Sequence, residues 1–177
     1  MEPFGTPHGR WSASRGAACL EYSLGTMRVA VGSDHRGFQT VSALVQHLKA
    51  DGHDVELLGD CAGSMCDYPD VAYLVSRAVA DGKADRGILM CGTGIGMCIA
   101  ANKVKGVLAA LAQDELSAQL SRTHNNANVL CLSADLTGTT LAKRIVDTFM
   151  KTNFEGGRHE RRIRKITEIE EGRAPSK

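Results

Sequence analysis

Chemistry concentrates where the apolar run Gly87–Cys91 ends and Gly92-Thr93-Gly94-Ile95-Gly96 begins. The order implies a thiol at the carboxyl end of a buried strand, facing backbone N–H groups at a helix N-terminus. Such donors are unpaired and sit at the positive end of the helix dipole, so they hold anions and stabilise a thiolate. Cys98 lies within the following helix and lacks that placement. It is expected to pack, as are Cys61, Cys66 and Cys131. The glycine loop has a rival reading as a dinucleotide fingerprint, with Asp114 about 20 residues on as its ribose acid. The last glycine is one position early for that motif, which favours an anion cradle, and a tight turn without ligand stays open. Asp34-His35 ends the first apolar run, where Asp34 could cap a helix or handle protons. His124, in Thr123-His124-Asn125-Asn126-Ala127-Asn128, lies either in an Asn-stabilised turn or at a proton-transfer site. Arg158 and Arg162 are four apart on one helix face and could clamp a phosphate, although such basic runs are usually solvated surface.

Positioning these groups requires alternating strands and helices. Arg28–Ser33 reads as a strand and Gly37–Asp51 as a helix with Val41, Leu44, Val45 and Leu48 on one face. Val55–Leu58 is a second strand, and Pro69 suits the first turn of a helix over Pro69–Asp81. Gly87–Cys91, Val107–Leu111 and Ala127–Leu132 complete the strands, with helices over Ile95–Val104, Glu115–Arg122, Thr137–Lys151 and Gly157–Glu170. The alternation predicts an α/β fold, a Rossmann-like three-layer α/β/α domain with a five-stranded parallel sheet. Ligands of open sheets of this kind sit beyond the strands' carboxyl ends, which groups Asp34-His35 with Cys91.

The 177 residues, 43% of them hydrophobic, suffice for one domain, which we place at 27–177. Residues 1–26 are rich in Gly, Pro, Ser and Ala without periodicity. They read as a disordered extension or an upstream start-site artefact, with Met27 the functional beginning. A formal net charge of +1 gives no global attraction for nucleic acid, and no aromatic platform accompanies the basic run at 158–165. No apolar run reaches the roughly 18 residues of a membrane span. Cysteines without C-x-x-C pairs or zinc spacing favour a reducing, cytoplasmic location.

Taken together, Gly32-Ser33-Asp34-His35-Arg36-Gly37-Phe38, Asp67-Tyr68-Pro69, Cys91–Gly96, Ala100-Ala101-Asn102-Lys103, Ser117–Asn125 and Glu155-Gly156-Gly157-Arg158-His159 closely resemble the type B ribose-5-phosphate isomerases. That family also contains the galactose-6-phosphate isomerase subunits, and the likeness covers roughly Met27 to Glu170. It displaces the dinucleotide reading. It implies a cofactor-free, metal-free interconversion of ribose 5-phosphate and ribulose 5-phosphate through a cis-enediolate, in the pentose phosphate pathway. Cys91 is then the base, supported by Thr93, with Asp34 and His124 opening the sugar ring. Gly92, Gly94, Ile95 and Gly96 supply the oxyanion site, Tyr68 and Asn125 position the sugar, and His35, Arg158 and Arg162 bind phosphate. The resemblance also implies a homodimer, a C-terminal helix that extends to the partner subunit, and a site shared between subunits. Pairing of dimers into tetramers stays open. One branch of the family has glutamate at the Met97 position and lacks the cysteine, so Cys91 with Met97 resembles the thiol branch.

Two positions depart from the family pattern. Asp135 stands where a Gly-x-Arg motif provides a phosphate-binding arginine, and Leu108 follows Val107 where an arginine is usual. An acid near a dianion costs a few kcal/mol unless solvated or paired. Either the remaining cations suffice, or the substrate is a hexose 6-phosphate such as allose or galactose 6-phosphate, or the chain binds sugar phosphate without turnover.

Overall fold

The computed structural model describes residues 25–59 and 65–176. The expectation for residues 1–26 therefore lies outside the described residues, apart from Gly25 and Thr26. Five strands, β1 (Arg28–Ser33), β2 (Asp54–Leu57), β3 (Arg86–Cys91), β4 (Ala109–Leu111) and β5 (Val129–Ser133), form one sheet in the order β2-β1-β3-β5-β4. Every pairing is parallel, as the βα alternation requires. The connecting helices are α1 (Phe38–Ala50), α2 (Tyr68–Ala80), α3 (Ile95–Ala101), α4 (Glu115–Thr123) and α5 (Thr139–Lys151), and α6 (Arg158–Glu170) follows.

Strand alternation sorts the core into two layers. Val29 and Val31 of β1, Ile88 and Met90 of β3, and Leu130 and Leu132 of β5 face Val41, Leu44 and Leu48 of α1 and Ile145, Val146 and Phe149 of α5. Ala30, Leu89, Cys91, Val129 and Cys131 point the other way, onto Val71, Val75 and Val79 of α2 and Met97 and Ala101 of α3. Cys91 thus belongs to the α2/α3 layer by strand parity. Met97 is fully buried there and fills the core.

Two boundaries differ from the periodic pattern for one reason. Helix α3 stops at Ala101 and β4 starts only at Ala109 because the Asn102 side chain acts as a backbone mimic between them. Its Nδ2 donates to Cys98 O and Ala109 O, each at 2.9 Å, and its Oδ1 accepts Ala109 N–H at 2.9 Å. Asn128 does the same one strand over, accepting Leu108 N–H at 2.8 Å and donating to Gly106 O at 2.9 Å. The cysteines also differ from expectation. Cys66, which packs partly buried against the α2/α3 layer, is disulfide-bonded rather than a simple packing thiol, whereas Cys91, Cys98 and Cys131 are free. Cys61 lies outside the described residues.

Helix α6 stands apart from both layers. It is anchored near its ends, where His159 stacks on His124 and Glu170 Oε1 accepts Gly106 N–H at 2.9 Å. Ile166 and Ile169 on its apolar stripe stay exposed. Phe149, by contrast, is wholly enclosed. Phe149→Ala is expected to lower the unfolding free energy by about 3–5 kcal/mol, read by urea denaturation.

Candidate active site

The connections from β1 and β3 leave on opposite faces of the sheet, through α1 and α3, which opens a crevice at their adjoining carboxyl ends. Cys91 closes β3 at this edge and is 4% exposed. The chain then turns through Gly94 at φ +76°, and the turn aims Gly94 N–H at Cys91 Sγ, 3.2 Å away. A side chain at Gly94 would be strained by that φ. Its Cβ would also fall 2.5 Å from Leu111 Cδ1 and 2.8 Å from Leu132 O. Ser133, across from Cys91 on β5, donates to Gly92 O at 2.7 Å and pins the loop. Thr93 Oγ1 accepts Ile95 N–H at 3.4 Å. The Tyr68 ring lies against Gly96, where a Cβ would come within 2.7 Å of it, so the second glycine of the helix start makes room for the ring.

Asp34 is buried at the end of β1, and both its expected uses bear on the same side chain. Its Oδ1 accepts Arg36 N–H at 2.9 Å and Gly37 N–H at 3.2 Å, shaping the turn into α1. His35 is exposed on that turn. Arg36 carries a contact that sequence reasoning missed: Nη2 and Nε donate to Asp135 Oδ1 at 2.6 and 3.1 Å. Asp135 is therefore paired, which removes the objection to an acid at this edge. The ion pair and its hydrogen bonds hold the Arg36 guanidinium above its ordinary pKa.

A second cluster forms at the opposite edge. In a parallel sheet each helix returns to the strands' amino ends, and His124 caps the C-terminus of α4 there. Next to it, Asn128 O accepts the N–H of Gly87 near the start of β3. The His124 and His159 rings stack with centroids 4.3 Å apart and planes 3° apart. Glu155 Oε2 lies 3.3 Å from His159 Nε2, and Arg158 Nε donates to that nitrogen at 3.2 Å. Asn125, Arg158 and Arg162 are exposed around the pair. Arg122 supports the segment from below. Buried under Phe149, it donates to Ala127 O, Asn126 Oδ1 at 3.0 Å and Thr152 O at 3.3 Å. Burial brings its guanidinium down to about 10. Leu108, the other departure, lies at this edge as well.

The residues expected to share one site thus fall into two groups. Cys91, Thr93, Asp34, His35, Tyr68 and the glycine loop occupy the carboxyl edge; His124, Asn125, Arg158 and Arg162 occupy the amino edge. The length of β3, about 17 Å at 3.3 Å per residue, separates the edges. Asp114, the residue a dinucleotide site would need, is spent as the N-cap of α4, accepting Ser117 N–H at 2.6 Å.

Cys98 packs against the α2/α3 layer, as expected of it. Hydrogen bonds from Cys131 and others bring its thiol down to about 7, while the hydrogen bond with Cys98 and then burial push the Cys131 thiol up. Cys98 Sγ points at Ala109 O, 3.5 Å away, inside the α3/β4 contact rather than toward the loop.

Among the described residues two groups could offer three metal-ligand atoms: His124, Glu155, His159 and His47, Asp51, Asp147. In the first, the lone pair a metal needs on His159 Nε2 already accepts from Arg158. In the second, His47 Nε2 is 2.7 Å from Asp147 Oδ1 and ties α1 to α5.

The fold agrees with comparisons to known proteins. The model of the Ribose/Galactose Isomerase family matches residues 29–166. The chain belongs to this family. It is 48% identical over 147 residues to the probable ribose-5-phosphate isomerase B of Mycoplasma genitalium, covering 82% of this chain and 97% of that one. Ribose-5-phosphate isomerase B of Escherichia coli is 45% identical, over 82% of this chain and 98% of its own. A Mycoplasma genitalium ribose-5-phosphate isomerase B crystallised with bound ribulose 5-phosphate superposes with a TM-score of 0.77 at 49% identity, covering 81% and 96% of the two chains. Membership in the Ribose/Galactose Isomerase family makes the fold expectation correct: one α/β unit with a five-stranded parallel sheet.

His159 offers a direct check on the amino-edge cluster. Burial first, then the neighbouring His124, Arg158 and Arg162, lower its pKa from 6.5, and Glu155 opposes them. A histidine depressed on folding favours the fold above the unfolded pKa, and that contribution is lost as pH falls below about 6.5. Imidazole NMR titration should find His159 below its free value, and lower still in Glu155→Gln.

Proposed function

We propose that this chain is a ribose-5-phosphate isomerase that moves a proton between C2 and C1 with Cys91 as base. The observation that carries the assignment is the Gly94 N–H aimed at Cys91 Sγ at the mouth of the β1/β3 crevice. The thiolate takes the C2 proton of the open-chain aldose and returns it to C1 of the cis-enediolate. The loop amides from Gly92 to Gly96 meet the developing oxyanion, a term worth about 3–4 kcal/mol per well-placed donor. Thr93 supports the base and the sugar hydroxyls, Tyr68 and Asn125 position the sugar, and His35, Arg158 and Arg162 hold the phosphate. Asp34 and His124 open the furanose ring, His124 carrying the proton. The two edges of one chain cannot meet, so the reading includes a homodimer in which His124, Asn125, Arg158 and Arg162 come from the partner. A C2 pairing that brings one edge to the other makes two equivalent sites at once, and the exposed stripe of α6 is the surface we assign to the extension. The reading keeps a cytoplasmic location on the free state of Cys91, Cys98 and Cys131, against which the Cys66 disulfide stands as the exception.

Turnover of ribose 5-phosphate by the wild type, with allose 6-phosphate run beside it, tests the substrate. Failure on both sugars sinks the isomerase reading, and preference for allose 6-phosphate moves it to hexoses. Cys91→Ala should lower kcat by about 10²–10⁴-fold while leaving ligand binding largely intact, the span of a general base. Co-expressed Cys91→Ala and His124→Ala chains, each inactive alone, should regain about a quarter of wild-type activity. Half the dimers are then mixed, and each mixed dimer holds one intact site out of two. No recovery would place His124 and Cys91 of one chain in the same site.

A further inference from the structure

The Arg36–Asp135 pair carries the next step. Sequence resemblance puts a phosphate-binding arginine at position 135, yet this chain has an aspartate there and an arginine at 36. The two side chains meet across 99 residues of sequence. Asp34 fixes the Arg36 backbone at 2.9 Å, Asp135 fixes its side chain, and the Asp135 backbone N–H is itself bonded to Gly92 O at 2.9 Å. The guanidinium is thereby laid across the glycine loop. A Cβ on Gly92 would sit 3.0 Å from Arg36 Nε and 3.2 Å from Asp135 Oδ2. His35, assigned to the phosphate, is the adjacent residue on the same turn.

We infer that Arg36 is the phosphate-binding arginine of the carboxyl edge, and that Asp135 is the residue that positions it. The arginine comes from the β1–α1 turn, and the end of β5 supplies its acidic partner. Nε and Nη2 both go to one Asp135 oxygen, which leaves Nη1 outside the ion pair. A guanidinium has five N–H donors and can hold two anions at once. The Arg36 side chain is 54% exposed, so the free side of the fork is open to an incoming dianion. A lone Asp135 would repel that dianion; held by Arg36 it becomes a support for the cation that binds it. The same geometry accounts for an aspartate at a phosphate edge without changing the substrate class.

The inference rests on the sugar-phosphate reading above, and its test uses inorganic phosphate so that the two can fail separately. Isothermal titration with inorganic phosphate, and its competition against ribose 5-phosphate, are measured in wild type, Arg36→Ala, Arg36→Lys and the double variant Arg36→Ala/Asp135→Arg. Arg36→Ala should weaken phosphate and raise KM by about tenfold or more, with kcat within about threefold. Arg36→Lys should recover part of the loss, and the relocated arginine of the double variant should recover most of it. A purely structural ion pair would change melting temperature and leave phosphate affinity alone. That result, or no phosphate binding by the wild type, overturns the inference. Should Arg36→Ala fail to fold, the double variant and Arg36→Lys still decide it. Arginine-dependent phosphate binding without turnover would overturn the activity and keep this assignment; turnover with arginine-independent binding would do the reverse.

Discussion

The left-handed backbone at Gly94 is the constraint on which the carboxyl edge depends. With φ at +76° the chain leaves β3, reverses within three residues and starts α3 with a free N–H on Cys91 Sγ. The reversal needs the missing Cβ twice, once for the dihedral and once for the approach to Leu132 O and Leu111. Everything nearby then falls into place. Helix α3 packs onto the face already chosen for Cys91 by strand parity, Gly96 admits the Tyr68 ring, and Ser133 pins the Gly92 carbonyl. A thiol, an amide donor and an aromatic wall arrive together because one residue can take a conformation that others resist.

The polarity of the parallel sheet sets the second constraint. Loops after strands gather at one edge and helix C-termini at the other, so one chain displays two separate clusters. The amino edge is built as carefully as the carboxyl edge. Arg122 satisfies the carbonyls of Ala127 and Thr152 from within the core, and the segment bearing His124 and Asn125 rides on it. His159 lies almost fully enclosed, stacked on His124, with Glu155 and Arg158 competing for one ring nitrogen. Such a stack disfavours two imidazolium charges together. It therefore adds to burial in holding the His159 pKa below its ordinary value.

How much of this was legible in the sequence depended on whether the information was local. Strand β1, the last two helices and the Cys91 loop were readable because period, glycine spacing and chain order are local properties. The ends of α3 and β4 were not, since Asn102 and Asn128 substitute side-chain amides for backbone partners across a loop. The Arg36–Asp135 pair and the His124–His159 stack join residues far apart in the chain, and no pattern in either segment announces its partner. The two departures from the family looked alike on paper. The fold separates them: Asp135 belongs to the carboxyl edge with Arg36, whereas Leu108 belongs to the amino edge beside Asn128.

Cys91 and Cys98, both free thiols, differ in what their sulfurs face. Hydrogen bonds from Cys131 and its other neighbours bring the Cys98 thiol down to about 7. Its sulfur, however, donates to Ala109 O at 3.5 Å, a bond that exists only while the proton is present. Deprotonation would set a thiolate against a carbonyl oxygen, within the contact that holds α3 to β4. Cys91 faces the reverse situation, because its neighbour is a donor: the Gly94 N–H stays in place and strengthens when the sulfur becomes anionic. Cys98 is thus held inside the α3/β4 contact, whereas Cys91 meets an amide donor at the glycine loop. Our proposal of Cys91 as the base rests on that donor and on its place at the mouth of the β1/β3 crevice.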